Sequence, residues 1–186
     1  MHYDDRVKIW NSLLRMARAD AINLHDQQSA FPLIDKTWTP KGGTLADDDC
    51  HALAMLTHLC QAAEARTNHM IEELSEERRI TEPEAHMLKW ASLKDRWFSL
   101  PRFGRTRKRL DPGKEPQSIV ALLAKVRDDI FHVKFDGLHK KLEPMRKPEL
   151  FTRFVEATFE LNRVVRGEYV SPAKVRKVSR LPWMPK

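Results

Sequence analysis

Between Val126 and Phe135 an arginine, two aspartates and a histidine interrupt a segment whose other residues are mostly apolar. Arg127, Asp128 and His132 are residue types that handle phosphate esters. Histidine is the side chain best tuned to move protons near neutral pH. Arginine offers a planar fork of donors to a phosphate and to the charge that develops on it. On a helix, Asp128 lies one turn before His132 and can accept from its imidazole, which fixes the tautomer and favours the protonated form. Arg127 and His132 are five positions apart, about 140° around an ideal helix. One regular helix therefore does not aim both at one phosphate. Either the helix loosens near His132, or two protomers supply groups to a shared cleft. The same residues also admit a structural role, with Arg127 paired to Asp128, Asp129 or an acid on a neighbouring helix and His132 capping a helix end.

The elements that must position this segment read as helices. Residues 4–25 carry Val7, Trp10, Leu14, Ala17, Ala21 and Leu24 at helical spacing. Residues 26–46 contain Pro32, Pro40, Gly42 and Gly43, and read as an ordered loop pinned by Phe31, Leu33, Ile34 and Trp38. Asp47-Asp48-Asp49 caps a long amphipathic helix reaching to about Arg79. Its partly polar middle, Glu64, Arg66, Asn68 and His69, reads as a solvated face with intrahelical pairs, or as a side turned to a partner or site. Thr81 and Glu84 form a capping box before a helix running through Leu88, Trp90, Ala91, Leu93 and Trp97. After a loop over 101–116, Pro116 fits the first turn of the next helix, which buries Ile119, Leu122, Leu123, Val126, Ile130 and Val133 and ends near Gly137. Pro148 opens the last long helix, closed by Gly167. With no strand alternation and no repeat, the expectation is an all-α antiparallel bundle of about four or five helices, one domain over 1–170, followed by an extended basic tail over 171–186.

The formal charge of +7 is concentrated. Arg102, Arg105, Arg107, Lys108, Arg109 and Lys114 stand against Asp111 alone in residues 102–114, and residues 172–186 carry five cations and no acid. A loop and a tail of this kind suit a polyanion such as nucleic acid, or else are solvated surface. Cys50 and Cys60 share a helix, about 15 Å apart along it, too far for a bridge. Neither has the spacing of a zinc ligand, so no metal or cofactor is expected. No Gly-rich phosphate loop, Gly-x-Ser-x-Gly or His-Glu-x-x-His occurs. The polar N-terminus and the lack of a spanning apolar run point to a cytoplasmic protein without membrane contact.

Arg127-Asp128-Asp129-Ile130-Phe131-His132 resembles the motif of the HEPN superfamily: Arg, four to six residues, His, with a polar residue after the Arg. Asp128 takes the polar slot, and Ile130-Phe131 matches the apolar pair that precedes the family's His. Arg18 with His25 and Arg79 with His86 share the bare spacing, but Ala19 and Ile80 follow those arginines. Val133-Lys134 stands where relatives often have glycine. The resemblance covers about 48–166, chiefly in helix order. It implies an all-α, metal-independent endoribonuclease acting as a homodimer with paired motifs in a groove, in the manner of a toxin or antiphage-defence effector held in check by an antitoxin or regulatory protein. Arg127, His132 and Asp128 would be catalytic, and Arg102, Arg105, Arg107, Lys108, Arg109 and Lys134 would contact RNA. The alternatives are a non-catalytic HEPN-like module that binds RNA or nucleotide, and a helical adaptor that docks a partner through its basic segments.

Overall fold

The computed structural model describes residues 3–30, 47–131 and 138–184. The described residues contain eight α-helices and no strand: α1 (Tyr3–Ala30), α2 (Asp47–Glu76), α3 (Glu82–Trp90), α4 (Leu93–Ser99), α5 (Ser118–Phe131), α6 (Leu138–Leu142), α7 (Leu150–Arg166) and α8 (Pro172–Ser179). The all-α expectation is met. Phe31, Leu33, Ile34, Trp38, Val133 and Gly137, named above as loop anchors, core or helix end, lie outside the described residues.

Helix α2 is the axis of the fold. Helix α1 packs antiparallel on it, with Leu14, Ala17, Ala21 and Leu24 buried at helical spacing and Asp20 Oδ2 2.7 Å from His58 Nδ1. Helices α5 and α7 instead run in the same direction as α2, which departs from the antiparallel bundle expected. Leu123 and Arg127 of α5 meet Cys60 and Glu64 of α2, in that order. Asn162 and Arg166 of α7 meet Arg66 and Glu73. The physical reason lies in the connections: residues 77–117 and 132–149 are long enough to carry the chain back to the starting end before the next long helix begins.

The first of those returns contains α3 and α4. Sequence spacing suggests one helix through Trp90 and Ala91, but the chain breaks there. Ala91 turns to an extended ψ of 155°, and Ser92 caps a new helix by accepting from the Asp95 N–H at 3.1 Å. The consequence separates two tryptophans. Trp97 is fully buried and donates to Gln117 Oε1 at 2.7 Å, whereas Trp90 is 81% exposed. The capping box forms as expected, Thr81 N donating to Glu84 Oε2 at 2.7 Å, and this hydrogen bond holds the Glu84 carboxyl below its ordinary range.

Helix α2 starts at Asp47, as the acidic triplet predicts, and Asp49 is buried and accepts from Arg146 Nε at 2.9 Å, tying the start of α2 to the segment before α7. Cys50 is exposed, while Cys60 is buried. Contrary to expectation, the tail is not extended. Ser171 caps α8 with Pro172 in its first turn, Thr152 Oγ1 donates to Ser179 O at 2.7 Å, and Leu181 is fully buried. Trp183 then stacks on the ring of His25, centroids 3.6 Å apart and planes within 7°. Ser171-Pro172 is an N-terminal helix signal, and Leu181 and Trp183 supply enough apolar surface to dock the segment.

Candidate active site at the seam of α2, α4 and α5

Helix α5 brings Ile119, Val120, Leu123 and Val126 into the core, and that packing fixes which way Arg127 points. Its guanidinium lies over α2, where Nη1 donates to Glu64 Oε1 at 2.7 Å. Nε and Nη2 both donate to Asp128 Oδ1, at 3.2 and 3.1 Å. The side chain keeps 24% of its surface exposed. Burial pulls the Arg127 guanidinium down, but the Asp128 hydrogen bonds and the acids around it outweigh that and hold it above its ordinary value. Among the described residues three of its five N–H groups serve carboxylates and two have no partner.

One turn further along α2, exposed Asn68 accepts from Arg96 Nη1 of α4 at 2.7 Å. Arg96 is buried and uses Nη2 to bond the carbonyls of Lys89 and Ala91 at 3.0 and 3.1 Å. It therefore clamps the α3–α4 break onto α2. Burial with no carboxylate in contact lowers the Arg96 guanidinium from its ordinary value. Because α5 runs parallel to α2, its C-terminal end advances toward this same turn. His132 and Lys134 themselves lie outside the described residues.

Asp128 serves Arg127 in this arrangement; the pairing with His132 expected of it falls outside the described residues. Asp129 does not pair with Arg127, and lies 3.8 Å from Lys141 Nζ. Cys60 sits beneath the seam, its thiol pushed up to about 12 by burial despite the nearby Arg127. Arg102, Arg105, Arg107, Lys108 and Arg109 are exposed. They are not at the seam: Arg105 pairs with Glu77, just past the C-terminal end of α2.

The opposite face of α2 holds a second polar set. Arg66 and His69 are buried, which departs from the solvated face that is one of the two readings of this stretch. Arg66 Nε donates to Asn162 Oδ1 at 2.8 Å, Nη1 lies 3.3 Å from His69 Nδ1, and the guanidinium sits 5.8 Å from the Trp10 ring centroid. His69 Nε2 is 3.2 Å from Glu73 Oε1, and Glu73 in turn holds Arg166 Nε at 2.9 Å. Sequence reasoning grouped Glu64, Arg66, Asn68 and His69 together. Helix phase separates them: Glu64 and Asn68 are four apart on one face, and Arg66, His69 and Glu73 recur at three and four on the other.

No protein-family model matches this chain, no curated protein matches its sequence, and no solved structure matches its fold. The function therefore rests on the site alone. Among the described residues no group of three His, Cys, Asp or Glu side chains could hold a metal ion, and no helix is long and apolar enough to cross a membrane.

Proposed function

We propose that the chain is a metal-independent endoribonuclease of HEPN type, acting as a homodimer through Arg127 and His132. The observation that carries this reading is the state of Arg127: oriented by two carboxylates, a quarter exposed, and left with two N–H groups that no described residue takes. A guanidinium locked in this way binds a phosphate without first losing side-chain freedom.

In the proposed reaction the ribose 2′-hydroxyl attacks the adjacent phosphorus. His132 takes the hydroxyl proton as general base, and the bond to the 5′-oxygen breaks. That oxygen leaves with a proton from a second acid, the partner's His132 in the shared groove. The products are a 2′,3′-cyclic phosphate and a 5′-hydroxyl, and atoms balance without water or metal. Arg127 faces the non-bridging oxygens and stabilises the charge that grows there. Asp128 and Glu64 are positioning residues that aim its fork. The 140° between Arg127 and His132 on a regular helix requires either a helix loosened near His132 or a groove shared by two protomers, and the HEPN resemblance favours the second.

The test is cleavage of a mixed-sequence RNA in EDTA, with product ends read by mass. Cyclic-phosphate products that vanish in Arg127→Ala and in His132→Ala, both folded and dimeric, are expected. Undiminished cleavage by either variant overturns the assignment. The carboxylate pairing of Arg127 also suits a second reading, a non-catalytic module that retains RNA through the same seam, and binding without turnover on every RNA would favour it.

A further inference from the structure

The basic loop behaves as a fixed part of the fold. Arg105 N donates to Val165 O at 2.8 Å, and Thr106 donates to Val164 O through Oγ1 at 2.9 Å. Gly104 lies so close to α7 that a Cβ there would meet Val165 Cα at 2.6 Å. From the other side Arg79 Nη1 donates to Phe103 O at 3.3 Å, and Glu77 holds Arg105 at 3.2 Å. The loop is thus bolted to the C-terminal ends of both α2 and α7.

Arginines occupy its most demanding backbone positions. Among the described residues the non-glycine positions with positive φ are Arg78 at 53° and Arg107 at 51°, a conformation that L side chains rarely adopt. Both are exposed, as are Arg102, Lys108 and Arg109. Glu77 is already committed to Arg79 and Arg105, and among the described residues no carboxylate lies at ion-pair distance from any of these five exposed cations. Glu64, at the Arg127 seam, and Glu76, at the end of α2, are twelve residues apart, about 18 Å of helix.

We propose that the 102–109 loop, with Arg78, is a prebuilt phosphate exosite for an RNA strand that also reaches Arg127, so that the substrate is a chain of several nucleotides, not a nucleotide or dinucleotide. This rests on the ribonuclease reading for the word substrate, but the exosite itself is a claim about binding. Phosphates repeat about every 3.4 Å along a duplex strand, so a strand that covers even the roughly 18 Å of α2 axis between Glu64 and Glu76 takes in several of them. Fixing the loop backbone in advance reduces what binding must order. Unpaired cations on it give affinity that follows charge and salt, with little reading of bases.

The experiment is fluorescence anisotropy with a 2′-O-methyl 16-mer, which cannot react by 2′-hydroxyl attack, against a 2′-O-methyl dinucleotide. The triple variant Arg107→Ala, Lys108→Ala, Arg109→Ala is expected to bind the 16-mer about tenfold or more weakly, and its salt slope to fall by about two. The dinucleotide should bind far more weakly than the 16-mer to the wild-type protein and show no dependence on these three residues. Gly104→Ala keeps every charge and should still weaken the 16-mer several-fold by displacing the loop. Should that variant unfold, Thr106→Ala makes the same test by removing one bolt. Wild-type binding by the triple variant, equal affinity for both oligonucleotides, or displacement of the 16-mer by phosphatidylserine vesicles through the same residues overturns the exosite. Cleavage is measured separately: a protein that binds by the loop yet cuts no RNA loses the catalytic reading and keeps this one.

Discussion

The two faces of α2 carry similar residues in opposite circumstances. On one, Arg66 is buried against Asn162, His69 and Trp10, and the set continues through Glu73 to Arg166. On the other, Arg127 and Arg96 reach Glu64 and Asn68 at a seam open to solvent. The inner set locks α1, α2 and α7 together, because a buried guanidinium tolerates few arrangements. The outer set orients one arginine and leaves part of it uncommitted. The difference teaches that polar density on a core helix can close on itself, as at Arg66, or leave hydrogen-bonding capacity over, as at Arg127.

Matched substitutions break or sharpen that contrast. Arg66→Ala strips the partner from buried Asn162 and should cost about 3 kcal/mol in denaturant unfolding. Arg127→Ala, at the exposed seam, should cost under about 1 kcal/mol. Equal losses would erase the distinction. A smaller contrast is expected of the asparagines. Asn162→Ala leaves Arg66 buried and under-bonded, for about 2 kcal/mol, whereas Asn68→Ala takes one acceptor from buried Arg96 at an exposed position that water reaches, and should cost about 1 kcal/mol.

The cysteines give the mildest test. At pH 8 a soluble thiol reagent should modify exposed Cys50 and spare Cys60 in the native protein. Burial raises the Cys60 thiol from 9.0 to about 12. Its neutral form therefore supports the fold fully below about pH 9, and that support is lost as pH rises toward 12. Rapid labelling of Cys60 at pH 8 would mean that the seam above it opens readily.

Much of the helical plan could be read from the chain. The capping box at Thr81 and Glu84, the stripe of α7 and the stop at Gly167, with φ of 71°, follow from local rules. Helix direction did not, because the contacts pairing Leu123 with Cys60 and Asn162 with Arg66 join residues far apart in sequence. The break at Ser92 hid inside an apolar spacing that runs unbroken through Trp90 and Trp97. The docked tail hid behind its charge, which outweighed Leu181 and Trp183 in a reading by composition. At the site, Arg127 and Asp128 were visible as a motif. Glu64 and Asn68 stood out only as part of a polar stretch open to several readings, and Arg96 not at all, since a partner on another helix leaves no mark in local spacing.

The central claim is that the outer set serves chemistry and the inner set serves the fold. It is tested most directly by measuring RNA cleavage in EDTA and unfolding free energy on the same preparation of Arg127→Ala. The account predicts that cyclic-phosphate products disappear while the unfolding free energy falls by less than about 1 kcal/mol. Cleavage at the wild-type rate, or cleavage lost only together with the fold, would contradict it.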